Sequence, residues 1–339
     1  MESFSSLLLR WFTDAQRELP WRMDRNPYAI FLSEVILQQT RVAQGNAYFV
    51  KFLEKYPTVE DLAAAPLDSV LALWSGLGYY NRARNLHRAA QHIAQNWDGH
   101  WREDVADWMQ LPGVGPYTAG AVCSIAFDTQ AIAVDGNVER VLSRIFHVTH
   151  TVGTAEAQRA FKAAAWAILP PKRTGQHNQA LMELGSLICT PRQPKCAECP
   201  VASLCAVSFQ PNAAEALPVK KKNAPVKEVF LEWALYSILG HVALRKRTEK
   251  GIWQGLYEPP SREAWETDIS WTGPNTFSHA LSHRKLFISL YWARNIGGAN
   301  HLPPPPEGCQ WIPLDKRDEF GLPAPLSKAI LKKMIYLMH

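Results

Sequence analysis

The sequence contains no long hydrophobic run. The stretch Met1 to Trp11 carries Glu2 and only a short apolar segment, Leu7 to Leu9, so neither an export signal nor a membrane span is written there, nor is one written further along. No internal repeat is visible, which excludes solenoid and propeller architectures. Charge of one sign is also in short supply: the formal balance is only +5 and the pI about 8.8. Such a surface permits a polyanionic partner without requiring one. The chain is well supplied in apolar residues, with 47% of its 339 residues hydrophobic, enough for a full core and for two domains. These features describe a soluble two-domain protein of the reducing cytoplasm, expected to be a monomer.

Cysteine is scarce as well, at 6 residues, yet four of them crowd into one short stretch as Cys189, Cys196, Cys199 and Cys205, a C-x6-C-x2-C-x5-C run. In a reducing compartment such a cluster points to metal before disulfide. The Pro, Lys and Gln residues between the thiols exclude a buried apolar cluster. Structural zinc sites usually place two C-x2-C-like knuckles a dozen or more residues apart, whereas four thiolates delivered by one compact loop suit a cube of iron and sulfide. The spacing therefore favours a [4Fe-4S] cluster, with zinc and a pair of disulfides as the alternatives. Cys123 and Cys309 are left over as ordinary thiols.

Up to about residue 208 apolar positions recur every three or four residues, in Phe4 to Phe12, Ile30 to Leu37, Tyr48 to Leu53, Val70 to Trp74, Ala83 to Ile93 and Ala119 to Phe127. This predicts a mostly α N-terminal domain over 1–208, including the cysteine loop at 189–205. Residues 209–227 read as a surface linker, rich in Pro, Ala and Asn and containing Lys220-Lys221-Lys222. It is the expected place for contacts with repair or replication proteins. Over 228–339, Val229 to Trp233, Val242 to Leu244 and Leu286 to Trp292 read as strands and Leu326 to Met338 as a helix, giving a smaller α+β domain.

Within the helical half, Leu111-Pro112-Gly113-Val114-Gly115 lies between two predicted helices. Glycine at both turn positions opens backbone conformations closed to other residues and presents N–H groups at the start of the next helix, where they can hold a phosphate. Together with Val134-Asp135-Gly136-Asn137-Val138 and the four cysteines, this order resembles the iron-sulfur branch of the helix-hairpin-helix DNA glycosylase superfamily. Leu19-Pro20-Trp21, Leu32 to Thr40 (LSEVILQQT) and Gly76-Leu77-Gly78-Tyr79-Tyr80 resemble the adenine DNA glycosylase family within it. The endonuclease III pattern ends its hairpin in G-V-G-x-Lys, whose amine permits strand cleavage. Here that position is Tyr117, so a glycosylase that only hydrolyses is expected.

The residues support the same chemistry. Releasing adenine requires a proton for a poor leaving group and negative charge beneath an oxocarbenium-like sugar, a division of labour between two carboxyls. Glu34 shares a helix face with Ile30, Phe31, Leu37 and Gln38, so burial should raise its pKa and make it the acid. Asp135 precedes Gly136 and an amphipathic run as an N-cap does, and the N–H bonds of a cap should keep it ionised as the electrostatic stabiliser or transient nucleophile. A Glu on a solvated helix edge and an ordinary N-cap Asp are the plainer readings. The resemblance assigns Glu34 to protonating adenine at N7 and Asp135 to stabilising the cation.

The resemblance also implies that Tyr117 and Asn137 line the base pocket and that Arg22 and Glu183 stand at its edge. It places Gln38 near the estranged strand, Tyr79 as a wedge beside the opposite base, and Leu111, Gly113, Val114 and Gly115 on the DNA backbone. One of Tyr79 and Tyr80 is expected in the core. The second domain resembles the family's Nudix-like domain that recognises 8-oxoguanine: Gly251 to Tyr257 matches G-x-W-x-G-L, and His279 to His283 matches H-x-F-S-H with Leu281 in the aromatic position. This makes Ser282 and His283 the recognition pair, although Phe277-Ser278-His279 offers a second register. No R-E-x-x-E-E helix follows the glycine motif, so no Mg²⁺ site and no pyrophosphatase activity are expected. The implied function is a monofunctional adenine DNA glycosylase of base excision repair, acting on duplex DNA with A:8-oxoguanine or, more weakly, A:G mispairs, in a cytoplasmic protein associated with the nucleoid. An endonuclease III-like pyrimidine glycosylase with lyase activity and a non-catalytic lesion-binding protein are the rivals.

Overall fold

Thirteen helices and six strands make up the described part of the computed structural model, which covers residues 2–221, 225–265, 269–281, 283–294 and 300–338. The chain divides into two compact units, one of residues 1–63 with 88–222 and the other of 64–87 with 223–339. In chain order the first twelve helices are α1 (Phe4–Ala15), α2 (Pro27–Leu37), α3 (Val42–Lys55), α4 (Val59–Ala64), α5 (Leu67–Leu73), α6 (Asn81–Asn96), α7 (Val105–Met109), α8 (Pro116–Phe127), α9 (Gly136–Ile145), α10 (Ala155–Ile168), α11 (Thr174–Leu187) and α12 (Pro211–Glu215).

In the first unit, α2 and α8 are the most enclosed elements. The Asn26 carboxamide accepts from Tyr28 N at 2.9 Å and Ala29 N at 3.1 Å, and Pro27 occupies the first turn, so α2 starts sharply. From Tyr28 to Ile36 every residue is buried. The α11 helix crosses α8 at backbone distance: a Cβ on Gly175 would lie 2.3 Å from the Ser124 carbonyl, and no side chain fits there. Asn178 seals the contact, donating to Ser124 Oγ and the Ala131 carbonyl and accepting from Ala133 N. The core beside them holds Leu8, Phe12, Val141, Phe161, Leu181 and Leu184, with Cys189, Cys199 and Cys205 packed on its edge.

The second unit is built on one sheet of β1 (Lys227–Ile238), β2 (His241–Lys246), β3 (Tyr257–Glu258), β4 (Thr272–Ala280), β5 (Arg284–Arg294) and β6 (Cys309–Pro313), followed by α13 (Ala324–Met338). Strand order is β3-β2-β1-β5-β4, with β6 also on β2. The β1–β5 pair is parallel, from Lys227 opposite Arg284 to Ser237 opposite Arg294, and the remaining pairs are antiparallel. Alternation puts Trp233 and Leu235 of β1 and Leu286, Ile288 and Leu290 of β5 in the core. The segment 64–87 belongs to this unit, although its sequence is helical: Asp68 on α5 accepts from Tyr257 Oη at 3.0 Å and pairs with Lys246, and the Ser75 and Tyr80 hydroxyls donate to the Leu322 carbonyl.

Two expectations need correction. The stretch 209–227 is not wholly a surface linker: it opens with α12, buries Ala214 and Leu217, and the first unit runs on to residue 222. Arg144, itself buried, draws this stretch inward by donating from Nε to the Ala214 carbonyl at 2.7 Å. At the hairpin only Gly113 needs glycine for its backbone, with φ +76°. Gly115 is extended, at φ −104° and ψ −179°, and a Cβ there would meet nothing within 4 Å.

Candidate active site

One cleft of about 470 Å³ in the first unit gathers Arg22, Glu34, Gln38, Tyr117, Asp135, Asn137 and Glu183. Four helices deliver them: Glu34 from the buried stretch of α2, Tyr117 from the first turn of α8, Asp135 and Asn137 from the start of α9, and Glu183 from α11. Gln38, just past α2, donates to Thr118 Oγ1 at 3.2 Å.

Glu34 is 8% exposed and receives the Tyr117 hydroxyl at 2.5 Å on Oε2. Burial pushes its carboxyl up to about 7; the Tyr117 hydrogen bond and Arg22 pull it down, while Asp135 adds to the rise. Tyr117 stays a neutral donor, its phenol raised well above the ordinary value by burial and by the two carboxyls. Asp135 caps α9: Oδ1 accepts from Asn137 N at 3.0 Å and Val138 N at 2.8 Å, and Oδ2 accepts from Asn137 Nδ2 at 3.0 Å. These bonds and Arg140 pull its pKa down, but burial outweighs them, so the carboxyl lies above the ordinary aspartate range and not below it as the cap alone implies.

Asn137 is held from behind. Arg140 Nη2 donates to its Oδ1 at 3.0 Å and to the Gly185 carbonyl at 2.7 Å, while Arg140 Nε reaches the Cys189 carbonyl at 2.8 Å. A Cβ on Gly185 would come within 2.8 Å of the Asn137 Cβ, so the bare backbone of α11 lets Asn137 sit where it meets Asp135. Across the cleft, Glu183 is 1% exposed and accepts from Arg17 Nε at 2.7 Å, Arg17 Nη2 at 2.8 Å and Arg22 Nη2 at 3.0 Å. Burial acts upward on Glu183, but the two guanidiniums together hold it below the usual carboxylate range. Sequence reasoning missed Arg17 and Met182, whose sulfur lies 3.8 Å from the Tyr117 hydroxyl. Arg17 comes from the stretch before the Leu19-Pro20-Trp21 motif and carries no local signal of its own; its partner is 166 positions away.

Tyr79, Ser278, His279 and His283 lie in the second unit. Tyr79 is 47% exposed, whereas Tyr80 is 6% exposed, which settles which of the two is the core aromatic. Tyr79 also takes a left-handed backbone, φ +47°, and Arg82 lies 5.6 Å from its ring. Leu281 N donates to the Arg284 carbonyl in the turn between β4 and β5. Exposed His283 is in that turn, and Ser282 lies outside the described residues. In the second register, Ser278 and His279 sit inside β4, with the His279 ring 6.2 Å from Trp253.

The four clustered cysteines are in no disulfide and line one common pocket with Arg144. Arg144 Nη1 lies 3.3 Å from Cys189 Sγ and 2.7 Å from the Thr190 carbonyl. Burial pushes the Cys199 thiol up to about 11 against a backbone bond from Val201, and the three neighbouring cysteines add to the rise. An all-thiolate donor set on one compact loop fits a cube of iron and sulfide.

Three family models match: the HhH-GPD superfamily base excision DNA repair protein over residues 32–167, the iron-sulfur binding domain of endonuclease III over 189–205, and the NUDIX domain over 233–332. Fold and site thus define a DNA glycosylase of the base excision repair class, with a helical hairpin domain, a [4Fe-4S] cluster in the cysteine loop of residues 189–205, and a Nudix-like domain. Among solved structures, a thermostable thymine-DNA glycosylase aligns with TM-score 0.55 and 30% identity over 60% of this chain and 94% of its own. An endonuclease III bound to DNA aligns with TM-score 0.51 and 29% identity over 60% and 92%. An adenine DNA glycosylase of Buchnera aphidicola is 33% identical over 99% of this chain and 98% of its own, and that of Mus musculus is 44% identical over 91% and 74%. The chain belongs to the adenine DNA glycosylase family. Duplex DNA is its partner, and no helix among the described residues is long and apolar enough to cross a membrane.

Proposed function

We propose that this protein hydrolyses the N-glycosidic bond of adenine opposite 8-oxoguanine, and more weakly opposite guanine, without cutting the strand. The observation that carries this reading is the pair of carboxyls in one cleft, with buried Glu34 raised to about 7 and Asp135 fixed by three N–H donors. Near neutral pH Glu34 retains a proton in a good part of the molecules and can deliver it to N7 of a flipped adenine, making the base a neutral leaving group. Asp135, immobilised at the start of α9, then stabilises the cationic sugar by charge or by a transient bond. Asn137 and Arg140 are positioning residues for that carboxylate, and Arg17 and Arg22 hold Glu183 ionised at the pocket edge, where it can accept from the adenine amino group.

Tyr117 in the place of a lysine leaves no amine at that position to attack the sugar, which is why hydrolysis alone is expected. Leu111, Gly113, Val114 and Gly115 are assigned to the phosphate backbone, and the open space over Gly115 suits close approach. Gln38 is placed at the estranged strand and Tyr79 is the wedge that returns part of the cost of unstacking. Ser282 and His283 read the opposite base, in a recognition domain assigned to residues 228–339 after a catalytic domain over 1–208. Exposed Lys220 and Lys221 are where contacts with repair or replication proteins are placed, and the protein works as a monomer on nucleoid DNA.

A single-turnover assay on duplexes containing A opposite 8-oxoguanine tests the reading. Base release with no nick until alkali is added is the expected result. Nicking at pyrimidine lesions would replace it with a glycosylase-lyase, and binding without release would make the chain a lesion-binding protein. An absorbance band near 400 nm in the purified protein accompanies the cluster.

A further inference from the structure

The first unit buries a guanidinium that has no carboxylate to pair with. Arg144, in the last turn of α9, is 2% exposed. Its donors are spread over backbone carbonyls: Nε gives to Ala214 at 2.7 Å and Leu217 at 3.3 Å, Nη1 to Thr190 at 2.7 Å, and Nη2 to Pro191 at 3.0 Å. No acidic side chain forms an ion pair with it among the described residues. Carbonyls satisfy its hydrogen bonds but return only part of the solvation that a charge gives up on leaving water. A buried cation of this kind calls for an anion close by.

The cysteine loop is where that anion can be. Arg144 Nη1 lies 3.3 Å from Cys189 Sγ, within reach of an N–H···S bond, and the side chain lines the pocket that Cys189, Cys196, Cys199 and Cys205 share. A neutral thiol offers a cation little, whereas a thiolate, and the net negative charge of four thiolates around an iron-sulfide core, is a counterion. The neighbouring sulfurs are served differently. Cys199 and Cys205 take backbone N–H groups, from Val201 and Val207. Arg140 reaches the Cys189 carbonyl, not its sulfur, and Lys195, also on the pocket, is paired with Glu198.

The guanidinium is also fixed in place, bonded to Thr190 and Pro191 on one side and to Ala214 and Leu217 on the other. A fixed, buried cation is little screened by salt, and it favours the more negative of two charge states beside it. For a cluster that is the reduced state, and hydrogen bonds to the sulfurs act in the same direction.

We propose that Arg144 is a positioning residue for the cluster, which holds Cys189 as a thiolate through a charge-assisted N–H···S bond and thereby raises the one-electron reduction potential of the cluster. The proposal rests on Cys189 being a cluster ligand. Voltammetry of the full-length, cluster-loaded protein tests it, with the electrode giving and taking the electron. Arg144→Gln should shift the equilibrium roughly tenfold toward the oxidised form, about 59 mV for one electron. Arg144→Lys, which keeps the charge, should recover most of that shift. An unchanged or raised potential in Arg144→Gln, or a fall as large in Arg144→Lys, would overturn the proposal.

A measurement on the parent protein covers the case in which neither variant keeps the visible absorbance of the cluster. With arginine labelled by ¹⁵N in the guanidinium, pulsed EPR of the paramagnetic cluster should show a ¹⁵N coupling that persists in Arg140→Lys; its absence is equally fatal. Cys189→Ser separates the two readings. Iron content and potential unchanged in that variant would remove Cys189 from the ligand set, and the proposal with it. A cluster altered by Cys189→Ser but indifferent to Arg144→Gln keeps the ligand and overturns only the part given to Arg144.

Discussion

The adenine cleft and the β4–β5 turn are both assigned to the mispair, yet they are built in opposite ways. In the cleft, Glu34, Asp135, Asn137 and Glu183 are each tied by hydrogen bonds to a neighbour before any substrate arrives. At the turn, His283 is exposed and its backbone carbonyl takes Lys227 N, while Leu281 N closes on Arg284. The difference separates two tasks. Chemistry on a glycosidic bond rewards groups that are oriented and desolvated in advance, because reorganisation then costs nothing at the reacting moment. Reading a base within a duplex leaves the ordering to the partner, which arrives with its own shape.

The sharpest way to break this comparison is Glu34→Gln. Adenine release in single turnover should fall by roughly a thousandfold or more while binding to the mispaired duplex persists; release at an appreciable rate would remove Glu34 from the role of acid. The same variant should be more stable than the parent at pH 8. An unfolded glutamate gives up its proton near 4.5 but the folded one holds it to about 7, so stability is lost as pH rises through that window. Removing the charge restores up to about 3 kcal/mol, visible in denaturant melts.

His177 on α11 offers an effect of similar size with the opposite sign in pH. Its ring is fully buried, neither nitrogen has a partner among the described residues, and burial lowers its pKa to about 4. The unfolded ring protonates near 6.5, so stability is complete above that value and declines as pH falls toward 4, by about 3 kcal/mol. His177→Leu should flatten the acid limb of stability between those two values and leave the lesion preference alone; a limb unchanged in slope would assign it to other groups.

Tyr117→Phe removes the bond that pulls the Glu34 carboxyl down. The midpoint at which adenine release is lost with rising pH, expected near 7, should move upward, and release at pH 7 should change by no more than about tenfold. The smallest effect is expected at the turn. His283→Ala should reduce the preference for 8-oxoguanine over guanine several-fold with little change in the rate on A:G, whereas Ser278→Ala should do neither. A reversal between these two variants would move the recognition pair to the strand register. Leu281→Phe should leave the preference equal or better.

A helix with one buried face was legible because its period lies in the chain itself, as in α1, and the apolar run of α2 made the burial of Glu34 among Ile30, Phe31 and Leu37 legible too. The strands β1, β2 and β5 were legible for the same reason. β4 was not: it is an exposed edge strand containing Gly273-Pro274, and it lacks the apolar alternation that marks a half-buried strand. Periodicity is also silent on partners far away in sequence. Nothing near Arg17 announces Glu183, and nothing in the helical pattern of 64–87 shows that Asp68 joins Tyr257 and Lys246. The desolvation of Asp135 was not legible for a related cause: a cap is visible in sequence, whereas burial that raises the carboxyl's pKa is a property of the assembled cleft.

The glycines of α11 have one more consequence. With Gly175 bare against Ser124 and Gly185 bare against Asn137, this helix has no side-chain cushion at either contact. Its next residues run straight to Cys189, where the iron-sulfur loop begins. A side chain added at either glycine therefore pushes this rod off its neighbour, and at Gly185 it displaces Asn137 directly. Inherited damage should be concentrated there, in substitutions that touch neither DNA nor metal.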